Sequence, residues 1–85
     1  MKIVIHPNAL KHGLTREQIL SAYSTGHNTA KLRSKDQGKY PPRWASIGFD
    51  YEGRPIEIIF ASGLEQHLIF HANYLTTRFK NEVMK

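Results

Sequence analysis

The stretch Pro55-Ile56-Glu57-Ile58-Ile59-Phe60-Ala61, PIEIIFA, decides the fold. It is dense in β-branched and aromatic residues and reads as a strand. A period of two puts Ile56, Ile58 and Phe60 on one face and Glu57, Ile59 and Ala61 on the other. The first set is apolar enough to pack under a helix, while the second carries an ionisable group toward a cleft or solvent. On either side lie two more β-rich segments, RWASIGFD (43–50) and QHLIFHA (66–72). They are joined to the first by Asp50-Tyr51-Glu52-Gly53 and Ser62-Gly63-Leu64-Glu65. Short turn-rich connections make an antiparallel meander the simplest topology. In the last segment Leu68, Phe70 and Ala72 alternate with His67, Ile69 and His71, so Glu57 and two histidines are expected on one sheet face.

Helices are expected before and after this sheet. MKIVIH reads as a short strand closed by Pro7, and PNALKHG as a single helical turn with proline at its start and Gly13 past its end. Thr15 and Gln18 form a capping box, with Leu14 placed to staple to Ile19. Ile19, Leu20, Ala22 and Tyr23 then share a face, and Gly26 is placed to end the helix in a left-handed cap. Residues 27–42 show no apolar period and read as a long mobile loop holding Lys31, Arg33, Lys35 and Lys39. Thr76 or Thr77 can cap a short C-terminal helix carrying Arg78, Lys80 and Lys85. The expected fold is one α+β domain over residues 1–85. It consists of an antiparallel meander of three to four strands packed with N-terminal helices and a short C-terminal helix.

Composition narrows the chemistry. Twelve Lys and Arg against seven Asp and Glu give a net charge of +5, which favours a polyanion or an acidic protein as partner. The absence of cysteine excludes a disulfide framework and a thiolate zinc site, and suits a reducing, cytoplasmic compartment. The opening apolar run is far shorter than a signal peptide core or a membrane span, so no membrane association is expected. His67 and His71 spell H-x-x-x-H, but on a strand this spacing separates them by about 13 Å, too far for one metal ion. Neither a metal nor a cofactor is expected. No nucleotide-binding or hydrolase motif occurs.

Metal-free cleavage of RNA needs less, because the 2′-hydroxyl of the substrate is the nucleophile. The protein must supply a proton acceptor, a proton donor for the leaving 5′-oxygen, and cations around the phosphorane. His71 and His12 are side chains of the type that changes charge near neutrality, and Glu57 is a possible base. Arg78, Arg43, Arg54 and Lys11 are candidate phosphate ligands, and Trp44 and Tyr74, with Tyr40, candidate stacking platforms for bases. Each of these residues also has an ordinary structural use, as a hydrogen-bonded strand histidine, a surface ion pair or a core aromatic.

The order of motifs resembles one known family. Lys11-His12-Gly13-Leu14-Thr15-x-Glu17-x-Ile19 comes first, then I-G-x-D-x-x-G at 47–53, and finally I-F-H-A-x-x-L-T-x-R-F at 69–79. Together these resemble the BrnT-like toxins, which belong with the RelE-like ribonucleases of bacterial toxin–antitoxin pairs. The resemblance covers most of the chain outside residues 27–42. It implies a RelE-like fold, metal-independent endoribonuclease activity of the mRNA-interferase kind, and growth inhibition relieved by a cognate antitoxin. The RNA substrate would include ribosome-associated mRNA. Lys11 and His12 match the family's Lys-His pair, and His71, Ala72 and Arg78 its last strand and following helix. The chain departs from the family where His6-Pro7-Asn8 replaces Trp-Asp, and where His71-Ala72-Asn73 replaces Ser-Ala-Arg. The alternative function, from a different class, is a non-catalytic RNA- or protein-binding module using the same basic face.

Overall fold

Strand β4 (Pro55–Ser62) runs through the middle of a five-stranded sheet of order β1-β5-β4-β3-β2. Its partners are β3 (Arg43–Phe49) and β5 (Gln66–Tyr74), both antiparallel to it. The computed structural model describes residues 2–33, 38, 40–63 and 65–84. Lys35, Lys39, Leu64 and Lys85, each used in the sequence reading, lie outside the described residues. The radius of gyration, 11.7 Å, matches the ~12 Å of a compact domain of this length.

The sheet is mixed, which corrects the expected antiparallel meander. The first strand, β1 (Lys2–Ile5), pairs in parallel with β5, Ile5 opposite Ile69. Short turns fix the direction of β3, β4 and β5 relative to one another. Strand β1 has no hairpin to its neighbour, so nothing local sets its direction. On the other edge β2 (Lys31–Leu32) pairs with only Trp44 and Ala45 of β3. The start of the expected loop 27–42 is therefore structured, with a 3-10 turn at His27–Thr29 leading into β2. Beyond β2 the open edge of β3 is closed by hydroxyls: Ile47 N–H donates to Thr29 Oγ1 at 2.8 Å and Phe49 N–H to Thr25 Oγ1 at 2.8 Å. Covering an edge in this way removes a template for unwanted strand pairing.

Helix α1 (Arg16–Thr25) covers one face of the sheet. Its capping box is complete, with Gln18 N–H donating to Thr15 Oγ1 and Thr15 N–H to Gln18 Oε1. Ile19, Ala22 and Tyr23 pack with Ile56, Ile58, Phe60, Ile69 and Ala72. Each fully buried isoleucine here contributes about 1.5–3 kcal/mol relative to exposure. Gly48 allows the helix this close, since a Cβ there would lie 1.7 Å from Ala22 O. Gly26 ends α1 but not in the left-handed cap expected, for its φ is −94°. Its glycine is required by crowding instead: a Cβ would meet Ala22 O at 2.9 Å and Ile47 O at 3.1 Å.

Helix α2 (Thr77–Met84) covers the opposite face, burying Phe79 and Val83 against Ala45 and Ile47, with Ile59 partly buried beside them. The ladder between β4 and β5 slips between these layers. Ile59 opposes His71 while Phe60 opposes Ile69, leaving Phe70 as an inserted residue. Below this bulge every side chain of β5 changes face, so His67 and Ile69 join the α1 side and Leu68 opposes Ala61 on the α2 side. The strict alternation read from the sequence, which grouped Leu68 and Phe70 with Ala72, holds only above the bulge.

Candidate functional site

The α2 side of the sheet carries the site. The 3-10 turn Pro7–Leu10 follows β1, and His6 Nδ1 accepts from Asn8 N–H at its start. Lys11 closes the turn, and Gly13, at φ +83°, turns the chain toward α1. Lys11 and His12 are thereby held exposed at a corner. The His12 ring meets the His71 ring edge to face, with centroids 5.4 Å apart. His71 is on β5 just above the bulge, and its other flank stacks on Phe79 of α2 at 6.3 Å.

Behind His71 lies Glu57, only 5% exposed. Its Oε2 accepts from His71 Nε2 at 2.7 Å, and its Oε1 from the Thr76 N–H at 2.9 Å and the Thr76 hydroxyl at 2.8 Å. Burial alone would raise the Glu57 carboxyl. The bonds from His71 and Thr76 outweigh it and hold the group below its ordinary range. An ionised Glu57 requires the proton on His71 Nε2, so in the neutral ring Nδ1 is the free acceptor. Glu57 has both oxygens engaged, Oε2 by His71 and Oε1 by Thr76. Its geometry makes it the orienting group of His71, a use of a buried carboxylate known from catalytic triads. Thr76 ties this arrangement to α2, because its Oγ1 also accepts from Phe79 N–H at 3.3 Å as the helix cap.

An open cleft of about 360 Å³ lies over the pair, lined by Glu57, His71, Thr76, Phe79 and Arg78. Its far wall is an ion pair joining the segment after β2 to α2, Arg33 Nε to Glu82 Oε2 at 2.7 Å and Arg33 Nη2 to Glu82 Oε1 at 3.0 Å. Four of the sequence-derived candidates thus converge: Glu57, His71 and Arg78 at the cleft and His12 against His71.

The remaining candidates are dispersed. Arg54 pairs with Asp50 at 2.8 Å and stacks over Tyr74 at 5.5 Å, and Tyr74 Oη accepts from Gln18 Nε2. This group closes the β3–β4 turn, where Asp50 Oδ1 takes the N–H groups of Glu52 and Arg54. Trp44 is turned toward the α1 side and packs against its core. Arg43 is on the α2 side, opposite Ala61 and away from the cleft lining. His67 is withdrawn from Glu57 by the bulge and bonds Tyr23 Oη through Nδ1 and Ser62 Oγ through Nε2. The sequence reading missed Thr76 as a partner of Glu57, and Arg33 and Glu82 as a wall. Thr76 carried a signal, as a helix cap directly after the last strand. Glu82 carried none.

Among the described residues no set of three or more His, Cys, Asp or Glu is arranged to hold a metal ion, and no helix is long and apolar enough to cross a membrane. Compared with models of protein families, with curated proteins and with solved structures, the chain has no match in any of the three. What fold and site define is a small α+β domain with a mixed sheet and a carboxylate-bonded histidine at an open cleft, with a second imidazole against it.

Proposed function

We propose that the protein is a metal-independent endoribonuclease, a RelE-like toxin of the BrnT-like type held in check by a cognate antitoxin in the cytoplasm. The observation that carries this reading is the line Thr76–Glu57–His71–His12 at a cleft bearing Arg78. His71 Nδ1 takes the proton of the 2′-hydroxyl, whose oxygen attacks phosphorus. The P–O5′ bond breaks, and His12 in its protonated form gives a proton to the leaving 5′-oxygen. The products are a 2′,3′-cyclic phosphate and a free 5′-hydroxyl. Glu57 supports the positive charge that His71 gains, and Arg78 with Lys11 neutralises the phosphorane. The net charge of +5 favours approach of a polyanion.

The test is incubation of labelled RNA with the protein in excess EDTA, followed by analysis of product ends. Cyclic phosphate ends are expected, with His71→Ala slowing cleavage by about 10² to 10⁴-fold. Arg78→Ala is expected to relieve growth arrest together with His71→Ala, both variants remaining folded by circular dichroism. Full toxicity in both would remove these residues from the mechanism. RNA left intact both free and on translating ribosomes, but shifted with a steep salt dependence, would identify a non-catalytic binding module.

A further inference from the structure

Among the described residues Arg43 is a guanidinium without a counter-charge. It opposes Ala61 on β4, yet its Cζ lies 3.6 Å from the centroid of Phe70 on β5, so the side chain spans the middle strand across a single methyl group. Its Nε is shielded from solvent and has no hydrogen-bond partner, and among the described residues Arg43 makes no ion pair. A guanidinium held on an aromatic face is fixed in direction, and its planar fork fits a phosphate through two N–H groups. The Phe70 ring is steadied in turn: Asn8 Nδ2 donates to Phe70 O at 3.1 Å, and the exposed His6 ring lies 5.8 Å away.

The bulge explains why this group shares a sheet face with His71. Consecutive residues of a regular strand point to opposite faces, and Phe70 and His71 would be separated by the sheet. Because Phe70 is the inserted residue, it reaches Arg43 on the α2 side while His71 reaches Glu57 on that same side. Arg43 is opposite Ala61 and His71 opposite Ile59, two residues apart on β4 or about 6.6 Å along the strand. That is an offset of backbone positions, and the guanidinium itself lies over Phe70, the residue next to His71 in the chain.

We infer that Arg43, stacked on Phe70, forms a second phosphate subsite that takes the RNA backbone phosphate next to the one cut at His71. This rests on the ribonuclease reading for its register and not for its affinity. The probe is a 2′-O-methyl RNA octamer, which cannot supply a nucleophile, titrated against salt with wild type, Arg43→Gln, Arg43→Lys and Phe70→Leu. Arg43→Gln is expected to bind about tenfold more weakly and to lower the salt slope by about 0.7. Arg43→Lys should keep the slope and lose part of the affinity, which a purely structural role for Arg43 would not produce. Cleavage supplies the second arm. A dinucleotide holding only the scissile phosphate should be cut by Arg43→Gln as by wild type, while KM for trinucleotides extended on the side that uses the subsite rises about tenfold. Unchanged slope and KM, or equal damage to the dinucleotide, would overturn the subsite. A reduced slope in a protein that cuts no RNA would uphold the phosphate contact and defeat the ribonuclease reading alone.

Discussion

The two faces of one sheet have been put to opposite uses. Under α1 the sheet is mainly apolar, built from Ile56, Ile58, Ile69 and Ala72 with the helix brought into contact at Gly48. Under α2 the same strands present Glu57, His71 and Arg43, and the short helix packs on Ala45 and Ile47 of β3 and Ile59 of β4 and reaches His71 of β5 through Phe79. The α1 face buries the larger apolar cluster, and the other holds a buried carboxylate bonded to His71 and Thr76 together with Arg43, which makes no ion pair among the described residues. A functional site built on strands and helices is held more rigidly than one on loops, and here Glu57 and His71 are on strands and Arg78, Phe79 and Glu82 on α2, while Lys11, His12, Arg33 and Thr76 lie outside both.

This division breaks or sharpens under mutation. The largest effect is expected from Gly48→Ala, whose Cβ would lie 1.7 Å from Ala22 O and 2.5 Å from Ala22 C and would force α1 off the sheet. A loss of about 3 kcal/mol or more is expected in urea unfolding, and a loss below about 1 kcal/mol would break the account of the α1 face. Next comes a matched pair. Ile58→Ala on the α1 side should cost about 2–5 kcal/mol, whereas Val83→Ala on the α2 side should cost about 1.5 kcal/mol at 0.8 per buried methylene. Equal losses would mean that the two layers share the stability evenly.

The smallest effect is a pH dependence. Glu57 is held below its ordinary value in the folded protein against the opposing effect of burial. A depressed carboxyl contributes stability that is full above the unfolded pKa and is lost as the pH falls through the folded one. Asp50 behaves alike, because its bonds to Arg54, Glu52 and Gln18 outweigh burial. Glu57→Gln and Asp50→Asn should each flatten part of the fall in urea midpoint as the pH drops through and below the ordinary carboxylate range. An unchanged acid limb in Glu57→Gln would show that the His71–Glu57 pair is not formed in solution.

Much of this was legible because it is local. The capping box at Thr15, the turn at Gly13, the strand at 55–61 and the cap at Thr76 follow from side chains within a few residues of one another. Glu57, His71, Arg78 and His12, which the structure brings together, were also named from the sequence, because few ionisable side chains of these types occur in it. Their roles were not. Glu57 read as a possible base until its two oxygens were seen committed to His71 and Thr76. Arg54 and Tyr74 looked equally free and proved to serve the Asp50 turn, and Trp44 proved to face the core.

The amino-acid sequence by itself determined the central strands, the start of α1, the positive charge and the short roster of ionisable groups, because these depend on composition and on periods within one element. Tertiary structure alone decided the direction of β1, the slip between Ile59 and Phe60, and with it which histidine meets Glu57. The reason is that pairing between distant strands is set by side-chain packing summed over whole faces. A single inserted residue, Phe70, changes the face of everything below it without leaving a mark in the local pattern.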